Sequence, residues 1–217
     1  MTPMTLPNLH FFRFRTYLES VVRRITAPHL ETFQISFFNQ LTFSVPRLLE
    51  FMNTTEDLRF DSAIFQFSGG RGSLTVHPRE EVEMPKEMPA LSINANCWHL
   101  DRQVSSMAQI LNALNQMFSP VEHLTLQGNK HTRSSEEHNE ADRTEWQELL
   151  RSFSNVKTLY IGDELLEEFS RCLQLGDGEL ALEQLPELQR LTYSGSGNTG
   201  DAFASFMDVR QSAGTWP

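Results

Sequence analysis

The chain has 217 residues, 28 acidic and 18 basic, for a formal net charge of −10. At 39% hydrophobic and 21% charged residues it can build a core and is not disordered by composition. The acidic balance disfavours a general nucleic-acid binder, which needs a basic face to displace counterions, and docking on an anionic membrane.

The first residues carry no basic segment ahead of an apolar run of about 7–15 residues, so no secretory signal is predicted. No stretch approaches the roughly 18 uncharged apolar residues of a membrane-spanning helix. Cys97 and Cys172 stand isolated. They predict reduced thiols in an intracellular protein, cytoplasmic or nuclear, rather than a disulfide framework.

A phrase recurs along the chain: apolar, two variable residues, apolar, one variable residue, apolar. It runs as Leu9, Phe12, Phe14 and as Leu30, Phe33, Ile35. Weaker copies are Thr55, Leu58, Phe60 and Met88, Leu91, Ile93. Clear ones are Val121, Leu124, Leu126, then Val156, Leu159, Ile161, then Leu188, Leu191, Tyr193. Successive starts lie 21, 25, 33, 33, 35 and 32 residues apart. The last two apolar positions flank one residue, the alternation of a half-buried strand. Pro7, Pro28, Pro120 and Pro186 precede four of the copies, where proline ends a helix and starts extended chain.

Helical patterns fill the intervals. Segments 17–25 and 46–52 are the first two, the latter with Pro46 in its first turn. Val104, Met107, Leu111, Leu114 and Phe118 form one stripe behind an Asp101 N-cap. Trp146, Leu149, Leu150 and Phe153 form another behind a Thr144–Gln147 capping box. Leu166, Phe169 and Leu173 make a third, and 201–209 reads as helix. Two segments break the rhythm. Residues 60–78 predict a β-hairpin insertion around Gly69-Gly70-Arg71-Gly72, extending one strand beyond the sheet. Residues 128–142 predict a mobile polar loop.

The strand–helix alternation with L-x-x-L-x-L on the strand resembles a leucine-rich repeat. The expected fold is α/β: one domain over 1–217, an irregular leucine-rich-repeat solenoid of about seven strand–helix units. A curved parallel sheet would line the concave side and helices the convex side. The usual asparagine or cysteine after each strand is missing except at Asn94. The phrases at 6–9, 25–35, 41–60, 146–159 and 185–189 resemble the leucine-rich-repeat region of F-box-type proteins of mushroom-forming fungi. That resemblance implies substrate recognition for a ubiquitin ligase. The F-box itself is lacking, since the chain starts directly in a repeat at Leu9, so the ligase scaffold is expected as a partner only if an F-box is encoded elsewhere in the parent gene.

Charge is uneven. Residues 1–110 carry 10 basic and 11 acidic side chains, residues 111–217 carry 8 and 17. On the concave side the variable positions between apolar ones would face outward. The central column would be Arg13, Gln34, Arg59, Ser92, Thr125, Tyr160 and Thr192. Beside it would run Phe11, Thr32, Asp57, Ala90, His123, Thr158 and Arg190. Arg13, Arg59 and Tyr160 are of interface-anchor type.

Other chemistry is weak. Gly195, Gly197 and Gly200 spell G-x-G-x-x-G, but no strand or acidic residue follows at the distance a dinucleotide site needs. His131 and His138 are seven apart and share no helical turn. No nucleophile has an activating neighbour in sequence. The expected function is a non-catalytic protein–protein interaction module without cofactor, metal, nucleic acid or membrane. The alternatives are a small-molecule- or metal-binding protein using the 195–200 or 131–138 loop, or an orphan repeat fragment without a selected function.

Overall fold

The computed structural model describes residues 4–14, 22–38, 46–55, 58, 60–78, 88–114, 117–129, 140–173, 185–194, 203–212 and 214. In chain order these form β1 (Met4–Thr5), β2 (Phe11–Phe14), β3 (Ile25–Thr26), β4 (Thr32–Phe38), α1 (Pro46–Asn53), β5 (Ser62–Ser68), β6 (Arg71–His77) and β7 (Leu91–Asn96). Then come α2 (Leu100–Ala113), β8 (His123–Gly128), α3 (Glu140–Leu150), β9 (Thr158–Ile161), α4 (Leu166–Leu173), β10 (Arg190–Tyr193) and α5 (Ala204–Ser212). The result is a mixed α/β fold with one large, mostly parallel, open sheet. Its order is β10-β9-β8-β5-β6-β7-β4-β2, and β1 pairs with β3 apart from it.

Six of the seven phrases deliver their last two apolar residues to strands of the main sheet. The sixth and seventh positions of the array, β9 and β10, continue β8 in parallel register. The strand starts share one local device. The amide of the phrase's first residue donates to the carbonyl three residues back: Leu9 to Leu6, Leu30 to Ala27, Val121 to Phe118, Leu188 to Leu185. The next two amides then converge on one carbonyl of a neighbouring segment. Glu31 and Thr32 meet His10, Glu122 and His123 meet Asp61, Lys157 and Thr158 meet Glu122, Gln189 and Arg190 meet Lys157. The turn satisfies backbone donors that a buried strand start otherwise strands.

The hairpin differs from expectation. β5 and β6 pair antiparallel as the glycine turn predicts, but they lie in the middle of the sheet, not beyond it. β5 lies parallel to β8, and β6 antiparallel to β7, so the hairpin bridges two parallel blocks. It occupies the place expected for the Thr55 copy, which is not a strand. Thr55 follows α1 and its hydroxyl donates to the Phe51 carbonyl, while Phe60 stacks on Phe118 at 5.9 Å. Apolar spacing there puts Phe60 in the core without a strand at Phe60 itself. Seven residues of alternating β5 sequence and a turn that pairs both strands outcompete it. Met88, the start of the next copy, is 64% exposed rather than core.

Smaller corrections follow. Ile25 lies in β3, not a helix, and 15–21 lie outside the described residues. α2 begins at Leu100 with His99 as N-cap, so Asp101 sits inside the first turn, where a carboxylate suits the helix dipole. α3 begins at Glu140, which puts Thr144 in its interior and ends the polar loop early. Residues 130–139 of that loop lie outside the described residues.

The helices cover one face of the sheet. Val104, Met107 and Leu111 of α2 are buried there, as are Leu149 and Leu150 of α3 and Phe169 of α4. Ring contacts mark the continuity. Phe67 meets Trp146 at 5.6 Å, Trp146 meets Phe169 at 5.6 Å, Phe169 meets Phe203 at 6.4 Å, and Phe203 meets Tyr193 at 5.5 Å. These separations are those of attractive edge and tilted aromatic pairs.

Gly128 ends β8 where the Asp163–Leu165 turn crosses it. A Cβ there would stand 2.9 Å from the Glu164 Cβ and 3.1 Å from the Leu165 Cγ. Gly128→Ala is expected to destabilise by about 1–3 kcal/mol through overpacking, read as a lowered midpoint of urea unfolding. An unchanged midpoint would mean that the turn gives way freely.

Candidate functional site: the polar face of the main sheet

Alternation sends the buried Leu, Ile, Val and Phe of each strand to the helices and the residues between them, with Phe11 and Ile64 among them, to the opposite face. Register then lines those residues up across strands. Arg13 is level with Gln34, Gln34 with Ser92, Ser92 with Thr75, Thr75 with Ile64, Ile64 with Thr125, Thr125 with Tyr160, and Tyr160 with Thr192. Six of the seven residues of the expected central column therefore share one unbroken row. The seventh, Arg59, lies outside the described residues, as does Asp57. In the central row the place expected for Arg59 is taken by Ile64 and Thr75 of the hairpin, and in the flanking row that expected for Asp57 by Ser62 and His77.

A second row runs alongside. Phe11 is level with Thr32 at one end. At the other, His77, Ser62, His123, Thr158 and Arg190 are level in turn. A third row comprises Ser36, Asn94, Ser73, Gln66 and Gln127. The sequence reading missed the contributions of Ile64, Gln66, Arg71, Thr75 and His77. The alternation within 62–68 and 71–77 carried that signal, once the hairpin is known to be internal.

Side chains within the rows hydrogen-bond along them. His123 Nδ1 and the Thr158 hydroxyl are 2.6 Å apart, and Gln66 Nε2 donates to Gln127 Oε1 at 3.3 Å. At the strand starts Lys157 Nζ donates to Glu122 Oε1 at 2.7 Å. That bond holds the Glu122 carboxyl below its ordinary range, with the Lys157 charge adding to it.

Accessibility divides the face. Thr32, Ser62, Ser73, His77, Ser92 and Asn94 are buried, so Ser92 is not a surface contact. Gln66, Arg190 and Thr192 are exposed, and Thr125, Gln127, Thr158 and Tyr160 half-buried. Arg13 and Phe11 are exposed on the far edge strand, with Gln34 half-buried beside them. The open part of the face is thus β5 with β8–β10, plus the β2 edge.

Among the described residues no group of three His, Cys, Asp or Glu is placed to hold a metal ion. The 195–200 glycine loop and the 131–138 histidine loop lie outside the described residues. Burial pushes the Cys97 thiol up, away from the thiolate a nucleophile needs, although a bond with Ser106 opposes it. Among the described residues no helix is long and apolar enough to cross a membrane. Comparison with protein-family models, with curated proteins and with solved structures finds no match to this chain.

Proposed function

We propose that the chain is a non-catalytic protein-recognition module, built of stacked strand–helix units of leucine-rich-repeat type. In this reading it serves as the substrate-recognition part of an F-box ubiquitin-ligase adaptor does, with the ligase scaffold as partner only through an F-box encoded elsewhere in the gene. The observation that carries the reading is the row from Arg13 to Thr192. It crosses seven strand steps, about 34 Å at about 4.8 Å per step. A small molecule would touch two or three strands of such a row, whereas a protein segment spans it. The turn repeated at Leu9, Leu30, Val121 and Leu188 supports the repeat architecture. The internal hairpin departs from a simple stack and marks the array as irregular.

The test is site-specific photo-crosslinking in cells. A benzophenone side chain is placed at Thr125 or Thr192 on the polar face, and at Gln109, exposed on α2, as the control. The same protein adduct is expected from both face positions and not from Gln109. Adducts of equal yield at all three positions, or none from the face, would overturn the proposal.

A further inference from the structure

The strands of the main sheet contain three arginines and two histidines, and no aspartate, glutamate or lysine. This holds in a chain of net charge −10. The acids lie elsewhere: Glu140, Asp142, Glu145 and Glu148 on α3, Glu167 and Glu168 on α4. Arg13, Arg71 and Arg190 all fall on the polar face. Arg71 is placed there by its neighbour Gly72, whose Cβ direction points at Gln103 of α2 on the helix side. The three are exposed, and their guanidinium groups make no ion pair with a described residue. Of the acids at the strand starts, Glu31 is bound to His10 and Glu122 to Lys157, while Asp61 is left at the end of β5.

We infer that the polar face takes an acidic, extended peptide segment of its protein partner, laid over the open strands β5 and β8–β10 between Arg190 and Arg71, with Arg13 of the β2 edge adding to the field. The inference rests on the recognition reading above and names the partner's chemistry. Exposed guanidinium groups offer paired donors to carboxylates, and their charge steers an acidic segment to this face while the helix side repels it. Between them the Gln66–Gln127 pair, Thr125 and Thr192 supply neutral donors and acceptors for peptide groups. From β10 to Arg71 on β6 the face spans four strand steps, about 19 Å, which about six residues of extended chain cross. A nucleic acid fits less well. Three separated cations neutralise few of its closely spaced phosphates.

The experiment measures fluorescence anisotropy of labelled peptides with the full chain. One peptide alternates Glu and Ser over twelve residues, a second has Gln for Glu, a third Lys for Glu, and a twelve-nucleotide single-stranded DNA is the fourth probe. The Glu peptide is expected to bind most tightly and to weaken as salt rises from about 50 to about 300 mM. Replacing Arg13, Arg71 and Arg190 together by Gln, with folding checked by circular dichroism, is expected to cost at least about tenfold in its affinity. Equal binding of the Glu and Gln peptides, unchanged affinity in the triple variant, or a preference for DNA would each overturn the inference. Crosslinking from Thr125 and Thr192 without preference for the Glu peptide would sink the acidic partner and leave the recognition reading intact.

Discussion

Arg210→Ala is expected to cost about 3–5 kcal/mol of stability, lowering the melting temperature by roughly 10 °C in a chain of this size. The reason lies at the end of the sheet. Arg210 of α5 is fully buried, and its guanidinium donates to the carbonyls of Leu185 at 3.1 Å, Pro186 at 3.0 Å and Leu188 at 3.3 Å. Its charge lies over the Phe206 ring, 5.6 Å from the centroid. Burial lowers the guanidinium pKa, with the Glu187 charge opposing. The turn it holds is strained: Leu185 has φ of 51°, a left-handed conformation that costs a bulky residue about 1–3 kcal/mol, and proline follows it. Removing the guanidinium leaves three carbonyls without their charged donor and that strain uncompensated. Arg210→Lys has one compact ammonium in place of the fork and is expected to recover less than half of the loss. A loss below about 1 kcal/mol for the alanine variant would show that the strained turn holds itself.

The tie between α5 and the turn before β10 was not visible as such in the sequence. An arginine near a helix end reads as solvated surface, and only the approach of α5 to Leu185–Leu188 turns it inward. The repeated phrase was legible for the opposite reason. Each copy is local, and its two strand positions, such as Leu124 and Leu126 or Leu159 and Ile161, go to zero or near-zero exposure in β4, β7, β8 and β9 and stay half-buried in the edge strands β2 and β10. Equal phrase lengths also made the row legible. Because they hold the same place in their phrases, parallel pairing without a slip brings Arg13, Gln34 and Ser92 level in one block and Thr125, Tyr160 and Thr192 level in the other, and Thr75 and Ile64 of the antiparallel hairpin join the two.

Pairing between distant strands was not legible. Nothing local in Leu91–Asn96 states that it lies beside Thr32–Phe38 rather than after a strand at 55–60. The same blindness let Phe60 imitate a strand position, since it is buried whether its backbone is extended in a sheet or not. It also hid which parts of the face are open. Ser92 and Thr125 are equivalent in the phrase, yet one is buried and the other half-buried, because exposure depends on what lies above the sheet. Charge fared better. Eight of the seventeen acids of the second half lie on α3, α4 and the Asp163–Leu165 turn, and the strands of the main sheet carry none.

The internal position of the hairpin sets the second large effect. Phe65→Ala is expected to destabilise by about 3–5 kcal/mol in denaturant unfolding. Phe65 is fully buried in β5, level with Leu74 of β6 and Leu126 of β8. Its ring stacks near Phe67 at 6.0 Å and meets Phe153 edge-on at 5.8 Å, so it ties the hairpin to the segment after α3. Truncation opens a cavity at the junction of the two parallel blocks, where neighbours on both sides are hydrogen-bonded in place and cannot collapse into it. Phe11→Ala on the β2 edge is the comparison. Phe11 is 43% exposed with one strand neighbour, and its loss is expected to cost under about 1 kcal/mol. A hairpin appended outside the sheet would invert this order, because its aromatic residues would face solvent on one side and relax when truncated. Comparable small losses at Phe65 and Phe11 would therefore move β5 and β6 to the periphery. With them the row through Ile64 and Thr75 would break into two short ones, and Arg71 would leave the face it shares with Arg190.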